Sequence, residues 1–167
     1  DSRDNIFTPN HGYNVSLMAM RYDNAFGGDY DYNYIKLAGL SWWQLFPKTV
    51  LGVRADGRFA DGDIPFYAVP FIQLRGIPAL RYQGENVIVG EIEPRWDVTY
   101  RWSLLAFLGS GWANDSLDGI FDSTARVAYG GGFRYLLARR LGLRVGVDIA
   151  RGPEETAIYL TIGSNWR

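Results

Sequence analysis

Few side chains in this sequence are placed to do covalent chemistry. His11 is the single histidine, and the chain has no cysteine. A lipase or acyltransferase would set its histidine beside a serine and a carboxylate. His11 instead follows Pro9 in an opening segment that reads as a turn, and we read it as a turn residue. Without cysteine there is neither a disulfide nor a thiolate metal site. Asp23, Asp29 and Asp31 are oxygen ligands of the type calcium takes, but their spacing matches no calcium loop, so they read as a solvated loop. Gly130-Gly131-Gly132 has no helix after it and is not a phosphate cradle. Glycines in such a strand permit bending or close packing. Glu91 and Glu93 beside Arg95 have the residue types of a glycosidase pair. As same-face neighbours two residues apart, they read better as a structural network. The expectation is no catalytic residue, no metal and no cofactor.

The segment with the most unusual chemistry is Leu74 to Asn86, with the sequence LRGIPALRYQGEN. It holds too much Gly and Pro for a helix and carries Arg75 and Arg81 among apolar residues. An arginine in that setting is expected to fold back onto carboxylates. The segment closes a long connection, 60–85, with Pro65, Pro70 and Pro78. A connection of that length in a compact chain is functional or folded onto something, and we expect it to lie inside a barrel.

Alternation with period two supplies the elements that would hold this loop. Eight strands are expected, at about 13–22, 30–43, 51–59, 86–96, 102–112, 125–136, 143–150 and 156–166. Short connections at 46–48, 97–101 and 138–141 alternate with longer ones at 23–29, 60–85 and 114–124; the turn at 151–155 belongs with the latter. Strands near ten residues, with short turns at one end and long loops at the other, are what an outer-membrane barrel requires. No apolar run reaches the roughly 20 residues of a membrane helix. The opening residues carry no leader pattern, which leaves a mature or trimmed chain as the expectation.

Along these strands one face carries Leu, Val, Ile, Phe and Tyr. The other carries Gly, Thr and Asn together with Arg54, Asp56, Glu93, Arg95, Arg134, Arg144 and Asp148. Charges of both signs among small residues suit a crowded, hydrogen-bonded interior. A solvent face would carry more lysine, and Lys36 and Lys48 are the only two. The six tryptophans (42, 43, 96, 102, 112 and 166) fall near strand ends, where a membrane protein meets the lipid headgroups. The chain has 167 residues, is 16% aromatic and has a net charge of -1, which fits one domain and argues against nucleic acid as a partner. A mean hydropathy of -0.14 is ordinary for soluble proteins and for membrane barrels alike. A soluble lipocalin-like barrel binding a ligand is the alternative, with the apolar face turned inward.

Several short motifs, in order along the chain, resemble the bacterial surface antigen barrel, the membrane domain of BamA–TamA-type outer-membrane assembly and translocation proteins. The opening DSRDNIFTPNHG (1–12) is similar to that family's D-x-R-D-N-x-F-x-P-x-x-G. Leu74-Arg75-Gly76-Ile77 resembles its loop motif, with Ile77 in place of the usual aromatic. Gly90 to Arg95 resembles G-x-x-E-x-R. Phe107 to Gly111 resembles F-x-D-x-G, with Gly109 in place of Asp. Residues 130–135 and 143–148 resemble its last strands. The resemblance implies that Arg75 reaches into the lumen and pairs with Glu93 and Asp148. Gly76, Arg95 and Arg134 belong to the same latch.

The family has sixteen strands and periplasmic arm domains; here eight strands and no arm are expected. The expected fold is all-β, an antiparallel transmembrane barrel of about eight strands in a single domain (1–167), with loop 60–85 in the lumen. Either eight strands close alone or two copies pair their edges as a homodimer. The expected setting is the bacterial outer membrane, with its lipid as partner and a non-enzymatic role in assembly or translocation. A small outer-membrane enzyme acting on lipid is the further alternative.

Overall fold

The computed structural model describes residues 1–166. Eight antiparallel strands form one sheet: β1 (Gly12–Tyr22), β2 (Tyr32–Phe46), β3 (Thr49–Gly62), β4 (Asn86–Asp97), β5 (Trp102–Asn114), β6 (Arg126–Ala138), β7 (Leu143–Arg151) and β8 (Thr156–Ile162). Each strand pairs with its neighbours in sequence, in the order β1 to β8. The only helical pieces described are single 3-10 turns at Asn24–Phe26 and Ile120–Asp122. The two-residue connection after Phe46 and the connections at 98–101 and 139–142 lie at one end of the sheet. The longer connections at 23–31, 63–85, 115–125 and 152–155 lie at the other.

The expected closed barrel is corrected in one respect. β1 and β8 do not pair, so the sheet is open and both are edge strands. β8 is also shorter than expected. The expected strand to Trp166 stops at Ile162, because Gly163 takes a left-handed backbone (φ 78°) and turns the chain inward. The sheet is nevertheless strongly curled. Trp166, four residues past the end of β8, stands with its ring 5.9 Å from that of Trp42 on β2 and donates its indole N–H to Glu91 on β4.

Burial is inverted relative to a water-soluble sheet. Leu17, Ile158 and Leu160 are 70%, 70% and 87% exposed, whereas Asp148, Arg134 and Glu91 are 0%, 3% and 3% exposed. The alternation read from the sequence therefore holds, with the charged face inside. Loop 63–85 covers that face: Ile72, Leu74 and Ile77 pack on Val87, Val89 and Ala128. A Cβ at Gly109 would stand 2.5 Å from Leu74 and one at Gly111 2.6 Å from Ile72, so these glycines on β5 make room for the loop. The loop begins at 63 rather than 60, because β3 continues to Gly62.

The tryptophans divide. Trp43, Trp96 and Trp102 are about half exposed on the outer face. Trp42 and Trp166 are a correction: both are buried inside with Leu40 and Val50.

Candidate functional site

Loop 63–85 brings Arg75 to the middle of the inner face, and Gly76 fixes its approach. Gly76 has φ 85°, and a Cβ there would lie 2.8 Å from the Gly152 nitrogen, so only glycine lets the loop touch the β7–β8 turn. The Gly76 N–H donates to the Tyr159 hydroxyl at 2.9 Å.

From this position the Arg75 guanidinium meets three carboxylates on two strands. It lies 2.5 Å from Glu91 and 2.6 Å from Glu93 on β4, and 3.0 Å from Asp148 on β7. Its carbon stands 3.5 Å above the Phe107 ring, so one planar cation is held by acids at its edge and an aromatic face below. Arg134 on β6 pairs with both oxygens of Asp148, and Asn165 donates to the same carboxylate at 2.6 Å. The Trp166 indole N–H donates to Glu91 at 2.9 Å. Arg75, Gly76, Glu93, Arg134 and Asp148 thus form one connected cluster.

Arg95 stands apart. It donates to the Pro9 carbonyl at 3.3 Å and to the Asn10 side chain, and lies 3.4 Å from Asp97. It holds the opening segment against the short-turn end of the sheet. Asn5 extends that strap, donating to the Leu141 carbonyl at 2.8 Å. Beside it, Arg144 donates to Ser103, which donates to Asp97 at 2.6 Å.

At the opposite end the loop is tied on the surface. Arg81 and the Tyr82 hydroxyl donate to Glu154 at 2.9 and 2.8 Å. The Arg81 bond, then that of Tyr82, holds the Glu154 carboxyl below the usual glutamate range.

Sequence reasoning did not assign Glu91, Phe107, Tyr159, Asn165 or Trp166 to this cluster. Glu91 carried a signal, since it shares a face with Glu93 two residues on. Trp166 carried a misleading one: its parity matches outward-facing Ile158, Leu160 and Ile162, and the turn at Gly163 breaks that parity.

His11 is exposed, and its backbone N–H donates to Asp4 at 3.2 Å. Among the described residues no group of three or more His, Cys, Asp or Glu could hold a metal ion. What the site does chemically is hold charge: a cation bound by acids on separate strands pins the loop to the wall.

The chain matches no protein-family model and no curated protein sequence.

Proposed function

We propose that this chain is the wall of an integral outer-membrane β-barrel with a non-enzymatic role in moving or assembling other proteins at that membrane. One observation carries the membrane part: the sheet buries its charges and exposes its aliphatic side chains. In water such a face would aggregate; in lipid it is the stable arrangement. The motif resemblance, with Arg75 held against Glu93 and Asp148, supports the assembly or translocation part.

Open strand edges carry unpaired backbone groups that lipid cannot satisfy. In the bilayer β1 and β8 therefore pair with further strands, and a second copy supplies them in this reading. The inner-face side chains of β1, Ser16, Met18 and Met20, are exposed, which fits an edge completed by added structure.

Expression with an export signal tests the reading. The expected product fractionates with the outer membrane, resists extraction by alkaline carbonate, and migrates differently in gels before and after boiling. A chain that stays monomeric in buffer without detergent overturns it. The absence of native cysteine makes the edge question direct. Single cysteines placed in β1 and β8 give a crosslinked species of twice the chain mass if two copies close the barrel, and an internal bond at unchanged mass if one chain closes alone.

A further inference from the structure

The inner face holds a second polar site beside the Arg75 cluster. A cavity of about 210 Å3 lies between β2 and β3 on one side and Gln73, Asn165 and Trp166 on the other. Three cations line it, Lys36, Arg54 and Arg58, against a single carboxylate, Asp56. That carboxylate is already shared: one oxygen accepts from Arg54 at 2.7 Å and the other from Arg58 at 2.9 Å. Arg54 has a further partner in Glu91, at 3.5 Å, but Glu91 also serves Arg75 and Trp166. Lys36 makes no ion pair among the described residues. Arg58 is 4% exposed and also donates to the Phe71 carbonyl at 3.0 Å and to Gln73 at 2.6 Å, but its Nε–H has no acceptor among the described residues.

We propose that this cavity binds a phosphate group. Charge taken out of water needs a counter-ion, and here positive charge exceeds the acids that line the space. A tetrahedral oxyanion offers acceptors in several directions at once, which suits an ammonium on one wall and guanidinium groups on another. The volume is below the roughly 300 Å3 at which drug-sized pockets begin, so the ligand is a single phosphoryl group rather than a nucleotide. Two sources share that chemistry: free phosphate, and the headgroup of a phospholipid. The site depends on the inner-face geometry and not on the membrane reading.

Lys36→Gln is the informative variant, because Lys36 lies outside the ion-pair network and its loss leaves the cluster intact. The protein, in a phosphate-free polyoxyethylene detergent or in buffer if it proves soluble, is titrated with inorganic phosphate and followed by phosphorus NMR line width. Saturable broadening is expected in the unaltered chain. Affinity should fall roughly tenfold in Lys36→Gln, recover in Lys36→Arg, and stay unchanged in Lys48→Gln, at the exposed β2–β3 turn. Micelles doped with phosphatidylglycerol then identify the source: displacement of inorganic phosphate supports the site with a headgroup as ligand, and no displacement supports it with free phosphate. Broadening that does not saturate, or that is equal in the unaltered chain and Lys36→Gln, overturns the proposal.

Discussion

Arg75 concentrates the cost of the inner face in one side chain. Replacing it with methionine leaves Glu91, Glu93 and Asp148 facing one another out of water without their shared cation. Removing one partner of a buried ion pair costs about 3–5 kcal/mol, and a loss of that size is expected for Arg75→Met in urea unfolding of the detergent-embedded protein. Arg81→Met, at the exposed Glu154 contact, should leave the unfolding midpoint unchanged. Two arginines six residues apart in one loop thus differ because one is enclosed and the other solvated. That difference was only partly legible in the sequence. Arginines among apolar residues pointed to carboxylates, and Glu93 and Asp148 share the inward parity. Only the motif around Leu74-Arg75-Gly76-Ile77 singled out Arg75; residue type alone did not separate it from Arg81, because enclosure is a property of the curled sheet.

Loop 63–85 is an element built to fit one wall. Gly109 and Gly111 lack the side chains that would collide with Leu74 and Ile72. Gly109→Val is expected to destabilise by about 1–3 kcal/mol through overpacking. Pairing it with Leu74→Ala should recover part of that loss, because the two positions share one volume; strict additivity in urea melts would refute the fit. The loop's outer anchor follows pH. Glu154 has a lowered folded pKa, so its contribution is present above the usual carboxylate pKa of about 4.3 and is lost as pH falls through the lower folded value. Protection of the 79–84 amides, that is exchange relative to the intrinsic base-catalysed rate, is expected to be steady from neutral pH down to about pH 5 and to fall below the usual carboxylate pKa of about 4.3. Protection that falls on raising the pH instead would contradict the assignment. Strand number, order and most boundaries were readable because parity is a local property. The end of β8 was not, because a single left-handed glycine redirects the chain with no change in composition.

For the whole molecule, the outer face decides the environment. An arginine on the lipid face of a barrel costs about 2–4 kcal/mol near the bilayer midplane. Leu17→Arg is therefore expected to impair insertion into liposomes, read as loss of the heat-modifiable band. A sheet meant for water would tolerate the change or gain solubility from it. Sequence patterning separated the two faces but did not settle closure, since pairing of β1 with β8 depends on accumulated curl across all eight strands.

The inner ties also impose an order on folding. Each strand pairs with its immediate neighbour and can zip as it emerges. The ties across the inner face and at its short-turn end join residues far apart in the chain: Trp166 to Glu91, Arg95 to Asn10, Asn5 to Leu141. Such distant closures form late. Because Trp166 supplies one of them, the acids around Arg75 gain their last donor only after the eighth strand has been made. A chain truncated after β7 would be a ribbon with an unsettled middle. Consolidation therefore waits until both partners of each tie are present at once.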